Sequence, residues 1–328
     1  HLAVTYGGEG SWYYYEGRAD PISAVVLTLF VTVNQAFFMG LYFLIAAYFV
    51  PRSLERKGSL LFLKERLLRL GVPLAFQLLI VAPLISYGLG LTIWGYKGSF
   101  WAYIREYWKH YELLDIGPLW FVEALLIFTF LYVLIIKLLS GYIRKIQIKI
   151  TFLGVVTLIL LITAIAFLVR LVYPIGTDFY NLQFSYFSAY IFMFAAGIVA
   201  YRAGLFDKLT YRQGKQWLFI ALGVGIPFWA LIILFGGALE DNMQMLGGWN
   251  WPAFFFALWE SFFCVTFIIA LAALFKYKVN ISNRFQKFLS DQAFGVFVFH
   301  APILVGISMM LSLQVKRGWE IADGYRRR

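Results

Sequence analysis

TFLGVVTLILLITAIAFLVRLV, residues 151–172, is the clearest guide to the fold class of this chain. It contains one charged residue, Arg170, in 22 positions. An α-helix rises about 1.5 Å per residue, so a helix of this length covers about 33 Å. The hydrocarbon core of a bilayer is about 30 Å thick, and about 20 apolar residues cross it. The stretch is therefore predicted to be a transmembrane helix.

Seven further runs have the same character, which gives eight in all. They cover residues 22–49, 67–89, 119–139, 151–172, 184–201, 216–235, 252–275 and 293–313. The predicted fold is all-α, a polytopic transmembrane helical bundle with eight complete spans in this chain. Asn34 and Gln35 predict a break in the first run. Pro73 and Pro83 in the second are tolerated, because neighbouring helices can satisfy the backbone groups that proline frees.

The composition excludes a soluble protein. Hydrophobic residues make up 62% of the 328 positions and charged residues 14%, whereas about 25% of an ordinary soluble domain is charged. The net charge of +11 would suggest nucleic acid in a soluble protein. Here the basic residues flank apolar runs, so they are interpreted as orienting the spans, and no nucleic-acid partner is predicted.

The basic residues also predict which loops face the cytosol. Every second loop, with its adjoining helix ends, is rich in Lys and Arg. Together these loops carry eighteen, which lie between residues 51 and 69, 137 and 149, 202 and 215, and 276 and 287. The opposite set carries four, namely Arg18, Lys97, Arg105 and Lys109. Because cytosolic loops are enriched in Lys and Arg, the first set is predicted to be cytosolic. Both chain ends then lie on the extracytoplasmic side.

A few ionisable residues lie inside the apolar runs. Such residues are expensive in lipid and are functional hypotheses by default. For Glu123 and Glu260 the alternative is a structural carboxylate paired to a neighbouring helix, and for His300 it is a hydrogen-bonding core histidine. His300 is placed about 10 Å from the inner face, counting from the start of its run. Arg170, near a helix end, is predicted to extend its head to the interface.

Known soluble-enzyme motifs are missing from the sequence. There is no phosphate-binding P-loop, no G-x-S-x-G and no H-E-x-x-H. Cys264 is the only cysteine and there are three histidines, so neither a disulfide framework nor a metal site is predicted.

Six strings follow one another along the chain in an informative order. They are NQAFFMGLYFLIAAYFVPRSLERKG at 34–58, FLKERLLRLGVP at 62–73, GPLWFVE at 117–123, IFMFAAGIVAYR at 191–202, LWESFFC at 258–264 and FGVFVFHAP at 294–302. Each alone is a weak hydrophobic pattern. In this order they resemble motifs of the acyltransferase-3 family of integral membrane acyltransferases. Arg66 and Arg69 match the family's Arg-x-x-Arg element, and His300 matches its aromatic-x-x-His-x-Pro element.

The resemblance implies both an architecture and an activity. Family members generally have about ten helices, so residues 1–328 are expected to be one membrane-embedded acyltransferase domain truncated at both ends. The family moves acyl groups, usually acetyl, from cytosolic acyl-CoA to hydroxyls of extracytoplasmic glycans or similar acceptors. The long loop from Gly7 to Asp20 resembles the glucan- and surface-polysaccharide-modifying branch. The implied location is the cytoplasmic (plasma) membrane.

The resemblance also suggests roles for particular residues. The stretch HLAVTYG at 1–7 resembles the one that begins at the family's catalytic histidine, so His1 is the predicted base. Arg66 and Arg69 are predicted to hold the phosphates of coenzyme A by charge-assisted hydrogen bonds. A polar substrate track between them is suggested through these residues: Asn34, Gln35, Trp120, Glu123, Glu260 and His300.

Two other functions stay open on the sequence. Intramembrane carboxylates such as Glu123 and Glu260 also suit the proton relays and substrate sites of a transporter or flippase. No inverted repeat is recognisable, which weighs against a transporter. An inactive membrane relative is the third possibility.

Overall fold

The computed structural model describes residues 1–17, 19–109, 116–139, 148–238, 243–279 and 283–326, with side chains as far as Leu311. Within these residues every regular element is helical. The α-helices are α1 Leu2–Thr5, α2 Pro21–Tyr48, α3 Val50–Lys57, α4 Ser59–Arg66, α5 Val72–Phe76, α6 Ala82–Thr92, α7 Phe100–Lys109, α8 Trp120–Leu138, α9 Phe152–Arg170, α10 Phe187–Ala203, α11 Leu205–Lys208, α12 Tyr211–Phe235, α13 Trp251–Lys278 and α14 Arg284–Arg326.

Eight helical stretches of the described chain are long and apolar enough to cross a membrane. They are Pro21–Lys57, Ser59–Thr92, Gly117–Leu138, Phe152–Arg170, Phe184–Ala203, Tyr211–Phe235, Trp251–Lys278 and Arg284–Leu311. Each overlaps one of the eight predicted runs. The predicted all-α polytopic fold with eight spans is confirmed.

Large apolar side chains are exposed along these helices. Leu60 on α4, Leu153 on α9 and Phe219 on α12 are 86%, 74% and 79% exposed. A water-soluble monomer rarely presents so much contiguous apolar surface. In a bilayer the same surface meets lipid tails, so these exposures are typical of lipid-facing helices.

Helix α2 runs unbroken through Asn34 and Gln35, so the predicted break is wrong. The Gln35 side chain donates from Nε2 to the hydroxyl of Tyr190 at 3.4 Å. A polar side chain interrupts a helix when it competes for the backbone hydrogen bonds. Because Gln35 has a tertiary partner, the α2 backbone keeps its own hydrogen bonds.

The second span contains two wider, π-helical turns, at Leu67–Gly71 and Gln77–Val81. Pro73 and Pro83 each follow one of them. A proline lacks an N–H and its ring clashes with the carbonyl four residues earlier, here those of Arg69 and Leu79. Each of those two residues lies in a π turn, which fits a local adjustment to the proline. The prediction that both prolines are tolerated within the span is confirmed.

Helix α14 begins at Arg284, nine residues before the apolar run at 293–313. His300 is therefore 16 residues into the helix, about 24 Å along its axis. The predicted depth of about 10 Å is counted from residue 293, where the apolar run begins, and it stays a prediction, because the turns before that run add to the length of the helix and not to the depth of His300 in lipid.

The described chain divides into two compact units, each made of several segments. Unit 1 comprises residues 1–32, 71–120 and 283–328, and unit 2 comprises residues 33–70 and 121–282. In unit 2, α13 packs against α9 and α12. Buried side chains of its core include Leu44, Ile162, Met193 and Cys264.

The predicted orientation can be tested by cysteine labelling, because Cys264 is 1% exposed and gives little background. Lys287→Cys, in the predicted cytosolic loop, should react with a membrane-impermeant maleimide only in inverted vesicles. Lys97→Cys, in a predicted outer loop, is the matched control and should react on intact cells. Labelling of Lys287→Cys on intact cells would contradict the topology.

Candidate active site

The first predicted site residue, His1, lies over a folded loop in unit 1. Residues 6–20 turn back on α1: the Gly8 amide donates to the Ala3 carbonyl and the Glu16 amide to the Thr5 carbonyl, both at 2.8 Å. This return brings the Trp12 indole under the His1 ring, with centroids 3.8 Å apart and planes 19° apart. The imidazole of His1 is thus stacked on one side, while the residue as a whole is exposed.

His300 joins the same group of rings. Its centroid is 5.2 Å from that of His1 and 6.4 Å from that of Trp12, and the three planes are within 22° of one another. We call His1, Trp12 and His300 the histidine cluster. From the sequence, His300 is predicted towards the inner face and the N-terminal end on the extracytoplasmic side, whereas the structure brings the rings of His300 and His1 together.

The hydrogen bond that His300 makes fixes the tautomer of its ring. Nδ1 of His300 lies 2.6 Å from the carbonyl oxygen of Phe297. A carbonyl only accepts, so Nδ1 carries the proton. Nε2 of neutral His300 is then an acceptor. The histidine cluster therefore offers two imidazoles able to take part in proton transfer.

The two arginines of the Arg-x-x-Arg element lie in unit 2, at the start of the second span. Arg66 ends α4, and Arg69 lies in the π turn Leu67–Gly71. Arg66 is half-buried with its guanidinium over the Phe62 ring at 5.4 Å, and it interacts electrostatically with Arg69. Two guanidiniums held near each other repel unless an anion lies between them, so this pair suits a phosphate ligand. Their role stays a prediction.

Glu260 has a partner that the sequence did not suggest. It forms a buried ion pair with Arg170, and the two residues are 8% and 2% exposed. Nε of Arg170 also donates to the Ser185 carbonyl at 3.2 Å, and its guanidinium lies 5.5 Å from the Tyr186 ring centroid. The prediction that Arg170 extends to the interface is wrong, because Glu260 on the neighbouring α13 holds it inside unit 2. For Glu260 the alternative of a paired structural carboxylate is favoured.

A small cavity adjoins this ion pair. Its volume is about 20 Å³, and its polar lining residues are Gln35, Arg170, Tyr186, Ser188, Tyr190, Glu260 and Ser261. This volume holds one water molecule and nothing as large as a sugar or an acyl chain. Gln35 and Glu260 are thus brought together around a water-sized space, which does not resemble a substrate passage.

The other proposed track residues are distributed over both units. Trp120 starts α8 at the end of unit 1, and Asn34 is half-buried on α2 in unit 2. Glu123, also in unit 2, has a buried Oε2 with no hydrogen-bond partner among the residues the structure describes. Within unit 1, His300 lies beside His1. His110, the third histidine, lies outside the described residues.

Comparison with known proteins gives one family. The acyltransferase-3 family model, described as an acyltransferase domain, matches residues 10–321. The chain belongs to the acyltransferase-3 family. No curated protein and no solved structure matches it. Eight helices among its described residues are long and apolar enough to cross a membrane, so this acyltransferase is a multi-pass integral membrane protein.

The family match clarifies what supports each site residue. It covers Arg66, Arg69 and His300 but begins nine positions after His1. His1 is supported as the base by the resemblance of residues 1–7 and by the histidine cluster. Trp12 was missed by sequence reasoning, although the aromatic run Trp12–Tyr15 in a predicted outer loop was a visible signal.

Proposed function

We propose that this membrane acyltransferase moves an acetyl group from cytosolic acetyl-CoA to a hydroxyl of an extracytoplasmic glycan, at the plasma membrane. The observation that carries the proposal is the histidine cluster of an acyltransferase-3 protein. It presents an exposed imidazole, His1, beside a second imidazole whose tautomer is fixed. The resemblance of the Gly7–Asp20 loop to the polysaccharide-modifying branch supports a glycan acceptor.

The chemistry of acyl transfer requires such a base. A sugar hydroxyl is a poor nucleophile until its proton is removed as the oxygen attacks the thioester carbon. Imidazole has an ordinary pKa of about 6.5 and can take that proton near neutral pH. His1 accepts the proton as the C–O bond forms, and it returns the proton to the thiolate as the C–S bond breaks. The products are the ester and free coenzyme A.

The stack on Trp12 orients the base. An imidazole without packing neighbours samples many directions, whereas a ring stacked at 3.8 Å on an indole keeps its plane. The nitrogens at the ring edge stay available to a substrate hydroxyl.

Transfer of labelled acetyl from acetyl-CoA into a surface glycan tests this function. We expect label in the glycan when labelled acetyl-CoA is supplied on the cytosolic side of sealed vesicles. Transport of an unmodified glycan across the membrane without any acyl transfer would favour the transporter instead. The ion pair of Glu260 with Arg170 already weakens that alternative, since a paired structural carboxylate is a poor proton relay.

Arg66 and Arg69 are expected to act at the donor. Replacing both with glutamine should weaken acyl-CoA binding by about 1.5–3 kcal/mol per lost charged hydrogen bond, with little change in acceptor affinity. The binding of acyl-CoA and of the acceptor would be measured separately on purified protein.

The matched control for this prediction is the double replacement Arg52→Gln with Arg56→Gln. Both residues are exposed on α3 and belong to the same predicted cytosolic segment. If the Arg66 and Arg69 pair only orients the helix, both double variants should impair insertion and neither should change acyl-CoA affinity in the inserted protein.

A further inference from the structure

The second span contains a polar side chain that the proposed chemistry leaves unused. Gln77 is 1% exposed, and neither its amide nitrogen nor its amide oxygen has a hydrogen-bond partner within the described residues. A buried amide without partners costs about 1–3 kcal/mol. Native structures rarely keep such a group without a reason, and a ligand that supplies the partners is one.

The backbone at Gln77 is also unusual. Gln77 opens the π turn Gln77–Val81, which precedes Pro83. Single π turns inside α-helices occur frequently at functional sites, because they change the direction of the side chains they contain. The other π turn of this span contains Arg69, which sequence reasoning had already placed in the site.

Contacts within unit 1 put Gln77 at the level of the histidine cluster. The ring of Phe76 lies 6.3 Å from the ring of Phe299, and these two residues directly precede Gln77 and His300 along the chain. Phe76 and Phe299 are 39% and 45% exposed, so their contact lies on the periphery. Gln77 is fully buried and His300 half-buried, and the Phe76–Phe299 contact makes the turn that carries Gln77 a neighbour of the turn that carries His300.

We propose that Gln77 binds the acyl group being transferred, with its side-chain amide donating to the thioester carbonyl oxygen. This inference rests on the proposed function and adds a residue to it. As the acceptor oxygen attacks the carbonyl carbon, the carbonyl electron pair moves onto that oxygen, and the Gln77 Nε2–H group stabilises the charge. The proton goes to His1, the oxyanion collapses, and the C–S bond breaks.

The amide oxygen of Gln77 has a complementary task. This oxygen can accept a hydrogen bond from a hydroxyl group, and the sugar that receives the acyl group carries such a hydroxyl. The amide nitrogen of Gln77 then donates a hydrogen bond to the thioester, and its amide oxygen accepts one from the sugar. This accounts for both partners being missing from the protein alone.

Gln77→Leu in the full chain tests this proposal. We expect the variant to lose activity without losing stability. Removing one oxyanion donor lowers kcat by about 10²–10³-fold in well-studied enzymes. The same change removes an unpaired buried amide, so the melting temperature should stay equal or rise. A lower melting temperature with kcat unchanged in the folded fraction would overturn the proposal.

A binding measurement separates this role from a structural one. The probes are a non-transferable ketone analogue of acetyl-CoA and a thioether analogue of equal length without the carbonyl. Wild-type protein should bind the ketone about 10-fold more tightly than the thioether, and Gln77→Leu and Gln77→Glu should lose that preference. Equal weakening of both analogues would overturn the assignment of Gln77 to the carbonyl. Binding of neither analogue by wild-type protein would instead overturn the acyl-CoA donor, and the Gln77 proposal with it.

Thr129 provides the matched control. It is 0% exposed in unit 2, and its hydroxyl has no partner in the described part of the chain. Like Gln77→Leu, Thr129→Val removes a buried polar group that has no partner. Its melting temperature should therefore equal or exceed that of the wild type. Because Thr129 has no place in the proposed chemistry, the Thr129→Val variant should have the kcat of the wild type and the same preference for the ketone analogue. A loss of kcat equal to that of Gln77→Leu would overturn the proposal.

Discussion

Replacing His1 with alanine is expected to lower the rate of acyl transfer by about 10²–10⁴-fold while leaving membrane insertion intact. The magnitude is that of losing a positioned general base. The change removes the ring of an exposed residue that contacts Trp12 and His300, and it replaces no residue of the eight spans. Initial rates of acetyl transfer, measured in the full chain at matched protein levels, would check it.

His300→Ala is the informative comparison for this prediction. The ring centroids of His300 and His1 are 5.2 Å apart, so loss of the His300 ring should change how the His1 ring is held. The rate should fall, but by less than it does when His1 is replaced. Near-normal turnover in His1→Ala together with an inactive His300→Ala would show that His300 is the base. Activity in both single variants and in the double variant would contradict acyl transfer by an imidazole base.

Replacing Glu260 with alanine is expected to destabilise the protein by about 3–5 kcal/mol. The reason is that Arg170, 2% exposed, would be left as an uncompensated charge inside a membrane protein. Thermal unfolding of detergent-solubilised protein would measure the loss. The double variant Arg170→Met with Glu260→Leu should recover most of it, because apolar residues of similar volume replace buried ion pairs at little cost.

The pair formed by Lys57 and Glu65 is the matched control for the buried ion pair. Its side chains are 24% and 45% exposed, so Glu65→Ala should cost about 0–1 kcal/mol. If Glu260→Gln unfolds like the wild type yet transfers no acyl group, the structural interpretation of Glu260 is wrong and the carboxylate belongs to the reaction.

Several features of this protein followed from the sequence alone. The eight spans were predictable because lipid imposes one requirement, about 20 consecutive apolar residues, which any window of sequence reveals. The family was recognisable because its short strings keep their order along the chain. Arg66 and Arg69 could be singled out because their spacing is local and needs no knowledge of other helices.

Pairings between distant residues needed the tertiary structure. Arg170 looked like an interfacial arginine until α13 brought Glu260 to it across 90 residues. Asn34 and Gln35 looked like a helix break because sequence cannot show that Tyr190 accepts from Gln35. The contact of His300 with His1 was not foreseen because hydropathy shows which residues lipid embeds and does not show which side chains they touch. The meeting of His1, Trp12 and His300 depends on a loop return and on the place of α14 within unit 1, and contacts between side chains so far apart in the chain have no local signature.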